Sequence, residues 1–265
     1  MVYAVIVGAA VLSFFPIYYT IITAFKPPQE VLAYPPKFFP ASATLKNYEY
    51  MIFIFGLKGL LNSFVIASSS TVLTVALGSF AAYGLARFHF RGNRNLAVWI
   101  LSQRMFPPIA AVIPFFIIFN TLHLLDTHIA LIIVYTAFNL PFFVWMMRDF
   151  LMSIPTEIEE SALVDGASRL RTFITITLRL AAPGVFALAI IIFIFCWNEF
   201  LFAFMLVRSD AKTLPIEFAG LRTIRGVEWG NLCSLATLVI IPAILVTIFA
   251  QKYIVRGLTF GAVKG

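Results

Sequence analysis

Apolar residues gather along this chain into six long stretches, about residues 2–25, 64–86, 96–119, 129–147, 185–207 and 233–255, with most polar and charged residues between them. Each approaches the roughly 20 residues that a helix needs to cross the hydrocarbon core of a bilayer. Unbroken runs of this length differ from membrane barrel strands, which are short and alternate polar with apolar. Backbone N–H and C=O groups find no water in hydrocarbon, so helices that satisfy them internally are the form such runs take. The pattern predicts an all-α integral membrane protein of about six transmembrane helices, one domain over residues 1–265. Residues 2–25 lack a basic leading region and a small-residue cleavage site, and read as the first span rather than a signal. Pro107, Pro114, Pro141 and Pro242 lie inside the stretches and predict kinks.

Composition excludes folding in water. Hydrophobic residues make up 61% of the chain and charged residues 12%, against about 25% charged in a soluble domain. The net charge of +7 suits basic loops beside anionic lipid heads. These basic residues form no stripe, which argues against nucleic acid. Cys196 and Cys233 lie in or beside apolar stretches and offer neither a metal-ligand spacing nor a disulfide framework. His89, His123 and His128 sit at loops or span ends without a matched metal partner. An intramembrane enzyme would need a nucleophile–base or metal constellation at depth, and none is visible. A stand-alone secondary carrier would show internal repeats or broken helices with ion sites, and no clear repeat is seen.

Six spans put both ends on one side. Lys and Arg divide nearly evenly between the two sets of loops, but the turn Arg87-Phe88-His89-Phe90-Arg91-Gly92-Asn93-Arg94 crowds three arginines into a short connection. By the positive-inside tendency this favours cytoplasmic ends. Three longer loops remain: a proline- and aromatic-rich external segment at 26–59, a cytoplasmic connector at about 148–183, and an external segment at 208–232.

The connector carries the strongest local signal. Thr156 followed by Glu159 is a capping-box spacing, so a helix should start there. Glu157, Glu159 and Glu160 would then sit in its first turn, where the helix dipole favours negative charge. Gly166 is a natural stop. Leu170, Phe173, Ile174 and Leu178 predict one apolar face on a second short helix, and Pro183-Gly184 a break before the fifth span. Spacing alone is equally consistent with a surface hairpin that merely joins two spans.

The residues Glu160-Ser161-Ala162-x-x-Asp165-Gly166-Ala167, with Phe173, Ile176, Leu178 and Pro183-Gly184, resemble the EAA loop of binding-protein-dependent ABC importer permeases. Ser161 replaces the usual alanine, and Arg179 stands where the pattern has proline. The resemblance extends over nearly the whole chain toward the MalG-like branch of carbohydrate permeases. It is carried by Asn62-Ser63, Ala81-Ala82-Tyr83-Gly84-Leu85-Ala86-Arg87-Phe88, Arg104-Met105-Phe106-Pro107, Ile113-Pro114, Leu125-Asp126-Thr127, Asn139-Leu140-Pro141, Trp197-Asn198-Glu199 and the ending from Gly257 to Gly265.

The resemblance implies a type I ABC importer permease in a bacterial inner membrane, with no cofactor of its own and no enzyme activity. It implies a second permease subunit, two ATP-binding subunits and an extracytoplasmic solute-binding protein as partners, and a sugar as substrate. A polyol or glycerol phosphate is the alternative substrate. It also implies that Glu159, Glu160, Ser161, Ala162, Leu163, Asp165, Gly166 and Ala167 form a coupling helix that docks on an ATP-hydrolysing subunit.

Charged residues at bilayer depth are costly and usually face a cavity or one another. Arg104 lies about 12 Å into the third span and Glu199 about 21 Å into the fifth, at about 1.5 Å per residue. The offset disfavours a direct ion pair. Arg104, Asn139, Trp197, Asn198 and Glu199 are the candidate lining of a substrate pathway, since aromatic faces and hydrogen-bonding groups suit a sugar. Helix-to-helix packing is the competing role for Asn198 and Glu199.

Overall fold

The computed structural model describes residues 2–55, 57–223 and 226–259. In chain order they form α1 (Val2–Ala24), α2 (Pro28–Val31), α3 (Lys46–Phe55), α4 (Lys58–Arg87), α5 (Asn93–Ser102), α6 (Pro108–Thr121), α7 (His128–Met152), α8 (Thr156–Val164), α9 (Arg169–Thr172), α10 (Leu178–Leu180), α11 (Ala182–Trp197), α12 (Leu201–Leu206), α13 (Leu214–Gly220) and α14 (Trp229–Thr259). A 3-10 turn, Gln103–Met105, follows α5, and a π-helical turn, Phe173–Thr177, joins α9 to α10. One small antiparallel ladder departs from the all-helical expectation: β1 (Arg222–Thr223) pairs with β2 (Gly226–Val227), Arg222 opposite Val227 and Thr223 opposite Gly226.

Helices α1, α4 and α7 are each long and apolar enough to cross a membrane alone. The third and fifth apolar stretches are not the continuous helices expected. In the third, Asn93–Met105 meets Pro108–Thr121 at 91°. Phe106 is driven into extended backbone (φ −67°, ψ 126°) because it precedes Pro107, which is itself extended. The fifth stretch breaks after Trp197, and a short second helix, α12, begins at Leu201. Pro114, Pro141 and Pro242 sit inside continuous helices. Helix α14, 31 residues long, covers the sixth stretch. The expected motif at residues 260–265 lies outside the described residues.

The chain divides into two compact units, Met1–Asn62 with Lys212–Ile244, and Ser63–Ala211 with Leu245–Gly265. In the first, α1 exposes most of its apolar side chains, as a lipid-facing helix does. The proline-rich segment after it is tied down by polar contacts. Lys26 is buried, donates to the Lys37 carbonyl at 2.6 Å and lies over the Tyr19 ring at 4.6 Å. The Asn47 amide donates to the Ala24 and Lys26 carbonyls at 2.8 and 2.9 Å, while Ser234 donates to the Asn47 carbonyl.

In the second unit α7 is central. Leu131, Val134, Phe143, Val144, Met147 and Leu151 are buried along it, and it packs against α5, α11 and α12. Lipid is as apolar as these side chains, so close packing rather than exclusion of water holds such helices together. Gly184 shows how tight that packing is: a Cβ there would come within 2.8 Å of the Phe150 ring.

Candidate functional site

The connector is a pair of short helices, as its sequence suggests, but its charges are arranged differently. Helix α8 begins after Pro155, and the Thr156–Glu159 capping box does not form. Pro155 occupies the N-cap and has neither a hydroxyl nor an N–H to exchange with Glu159. The Glu159 carboxylate instead turns inward. It accepts from Arg87 Nε at 2.9 Å, pairs with Arg87 Nη2 at 2.8 Å, and accepts from the Tyr83 hydroxyl at 3.1 Å. Arg87 also donates to the Ile154 carbonyl at 3.1 Å. The Arg87 and Glu159 side chains are each 7% exposed. Phe173 closes over Tyr83 with ring centroids 4.4 Å apart. Charge-assisted bonds of this kind are stronger than neutral ones, and a buried carboxylate needs them. They fasten α8 to the end of α4.

The other nominated connector residues face outward. Glu160, Ser161, Asp165 and Gly166 are exposed, while Ala162, Leu163 and Ala167 are half-buried. Gly166 ends α8 as expected. Its φ of +86° is the left-handed conformation that glycine accepts most readily, its N–H donates to the Leu163 carbonyl, and that of Ala167 donates to Ala162. Ser168 then caps α9 by accepting from the Arg171 N–H.

The expected apolar face of the second helix is only partly realised. Phe173 is buried, but Leu170 and Ile174 are exposed while Thr172 and Thr177 face inward, and the π turn at Phe173–Thr177 interrupts the 3.6-residue repeat on which the face was read. Val164, Leu170 and Ile174 therefore leave apolar surface on an otherwise polar connector. The chain turns by 77° between Arg169–Leu180 and Ala182–Trp197. Pro183 begins the new helix, where its missing N–H leaves nothing unsatisfied.

The candidate pathway residues gather, with one exception, around a cavity of about 360 Å3. Arg104, Tyr135, Phe138, Asn139, Asn198 and Glu199 line it with apolar neighbours from α6, α11 and α12. Arg104 donates to the Phe138 carbonyl at 3.1 Å and stacks its guanidinium on Phe142 and Phe195, 5.5 and 5.2 Å from the ring centres. Glu199 accepts from the Phe202 and Ala203 N–H groups at 2.9 and 3.2 Å, capping α12 across the break. Asn198 donates to the Ile194 carbonyl at 2.8 Å, and Asn139 to the Tyr135 carbonyl at 2.8 Å. Trp197 is the exception: it is buried against Phe193, rings 5.7 Å apart, and is not part of the lining.

Asp126 is a residue whose role sequence reasoning missed. Its carboxylate accepts from the backbone N–H groups of Arg208, Ser209, Asp210 and Ala211, at 3.0–3.2 Å, and from the Ser209 hydroxyl at 2.9 Å. Burial alone would raise its pKa, but these donors outweigh burial and hold the carboxyl well below the usual aspartate range. The only signal was the Leu125-Asp126-Thr127 motif. Among the described residues no three His, Cys, Asp or Glu side chains are placed to hold a metal.

Membrane-length apolar helices joined by an exposed connector, itself pinned to a span by a buried ion pair, define a multi-pass membrane component. The chain belongs to the family of binding-protein-dependent transport system inner membrane components, whose sequence model matches residues 74–260. That family is a transport component, not an enzyme. A probable ABC transporter permease protein of Sinorhizobium fredii is 38% identical to it, over 94% of this chain and 90% of the relative. The trehalose/maltose transport system permease protein MalG of Thermococcus litoralis is 34% identical over 98% of this chain and 96% of the relative. A chain from the crystal structure of a bacterial ABC transporter involved in the import of the acidic polysaccharide alginate superposes with a TM-score of 0.78 at 26% identity, covering 95% of each chain.

Proposed function

We propose that this protein is the sugar-conducting permease subunit of a bacterial inner-membrane importer, with cytoplasmic ends. Its partners are a second permease subunit, two ATP-binding subunits and an extracytoplasmic solute-binding protein. Residues 1–265 act as one permease domain. The observation that carries the coupling role is the division of the connector: Glu159 is locked to Arg87 while Glu160, Asp165, Val164 and Leu170 face outward. An exposed apolar patch rimmed by charge is the chemistry of a protein interface. A helix fastened on its other side by a buried ion pair transmits displacement instead of absorbing it. Closure of the ATP-binding subunits pushes α8, and Arg87 carries the push into α4.

Sugar as the substrate class rests on the relatives, whose names give trehalose/maltose and alginate. The aromatic and amide groups around Arg104, Asn139 and Asn198 are compatible with it. Reconstitution with the partner subunits tests the reading. Uptake of a labelled sugar should require ATP and the solute-binding protein, and Glu160→Lys should lower uptake at least about tenfold while helical content is unchanged. Uptake that ignores ATP, or that Glu160→Lys leaves intact, contradicts it. A panel including polyols and glycerol phosphate separates the substrate classes.

A further inference from the structure

Three arginines and a histidine that neither the connector nor the transport cavity uses converge on a second hollow. His89, Arg91, Arg94 and Arg148 line a space of about 760 Å3 where α4 ends, α5 begins and α7 ends. The turn Arg87–Arg94 thus has two jobs: Arg87 leaves it for Glu159, and Arg91 and Arg94 remain on the surface. Arg148 has an 18% exposed side chain and lies over the Trp145 ring at 5.9 Å. Its Nη1 reaches the Asp149 carboxylate at 3.3 Å, but its Nε is buried with no hydrogen-bond partner. The first turn of α5 adds the positive end of a helix, since its cap, Gly92, brings no side chain to those N–H groups. Val98 and Met152, on the same wall, are about half exposed and apolar.

We infer that this hollow holds the phosphate headgroup of an anionic phospholipid, with an acyl chain lying along Val98 and Met152. Arginine forks match phosphate oxygens, and basic pockets at the ends of membrane helices are where anionic headgroups collect. A free phosphate would satisfy the arginines but would leave the apolar wall uncovered. The placement at three helix ends puts the site at the level of lipid heads, whichever sugar the protein carries.

The test uses the assembled transporter in nanodiscs of phosphatidylglycerol or phosphatidylcholine, with native mass spectrometry of retained lipid and thermal unfolding as readouts. Wild-type protein should retain phosphatidylglycerol over phosphatidylcholine and unfold at a higher temperature with it. The double variant Arg91→Gln/Arg94→Gln should lose about tenfold of that preference and keep its unfolding temperature in phosphatidylcholine. Arg91→Lys/Arg94→Lys should keep most of it. Equal retention by the wild type and the glutamine variant overturns the site, as does inorganic phosphate stabilising the protein as well as phosphatidylglycerol. Should the glutamine variant fail to assemble, the lipid preference of the wild type decides, and its absence overturns the proposal.

Discussion

In the connector Glu159 gives its carboxylate to Arg87 and Tyr83, on another helix, whereas in the cavity Glu199 gives its carboxylate to the backbone of Phe202 and Ala203, a few residues along. Both are glutamates whose carboxylates are hydrogen-bonded inside the protein, yet they do different work. Glu159 joins two elements and fixes the distance between them. Glu199 repairs a break: where α11 stops, the freed N–H groups of α12 need an acceptor that lipid cannot supply. Asn198 and Arg104 behave like Glu199, donating to the Ile194 and Phe138 carbonyls. Polarity at membrane depth serves the backbone first, and what remains uncommitted is what a substrate can use.

The largest effect should come from cutting the inter-helix link. Arg87→Ala leaves Glu159 buried without its charge partner, which costs about 3–5 kcal/mol. Denaturation of the purified subunit should show that loss, and ATP-driven uptake should disappear with it. Arg87→Met/Glu159→Met should recover most of the stability but not the uptake. Should Glu199→Ala prove as damaging as Arg87→Ala, the contrast between linking and repairing would be wrong.

Next comes Asp126→Asn, which removes a charged acceptor shared by four backbone donors and should cost about 1.5–3 kcal/mol. The Asp126 carboxyl has a depressed folded pKa, so its contribution is complete above the ordinary aspartate value of 3.8 and is lost as pH falls below it. Hydrogen exchange at residues 207–211 reads this directly. Glu199→Gln keeps one acceptor oxygen but loses the charge and the second accepted bond, so about 1–2 kcal/mol is expected. Faster exchange in α12 with near-normal assembly is the signature.

The smallest effect concerns Glu217 in α13, whose burial pushes the carboxyl up to about 7 against the opposing pull of Lys212. The folded state favours the protonated form, so stability here is fully present below the ordinary value of 4.5 and declines as pH rises to about 7. Protection at residues 213–221, expressed relative to the intrinsic exchange rate at each pH, should fall over that window in the wild type and stay flat in Glu217→Gln.

What could be read in advance follows the range of the physics. The first, second, fourth and sixth stretches and the Gly166 stop obey local rules, run length and left-handed backbone, and appear where expected, whereas the third and fifth stretches are broken. The break at Phe106-Pro107 is also local: two prolines in tandem forbid helix at the residue before them, and only its sharpness went unread. The break at Asn198–Phe200 has no proline to announce it. Glu159 misled because its partner, Arg87, lies 72 residues away. A capping-box spacing can be seen in sequence, but a stronger, distant competitor cannot. Asp126 was hidden in the same way, its donors lying 82 to 85 residues downstream. In the second connector helix Phe173 packs on Tyr83, 90 residues away, and a π turn interrupts the repeat after it, neither of which the periodicity encodes.

Two adjacent glutamates allow the most direct test. A photoreactive amino acid placed at position 160 in the assembled importer should cross-link to an ATP-binding subunit, in yields that change with nucleotide. The same group at position 159 should cross-link within the chain, to α4. Cross-linking of position 159 to the ATP-binding subunit, or none from position 160 in any nucleotide state, would contradict the claim that this connector is pinned on one face and driven from the other.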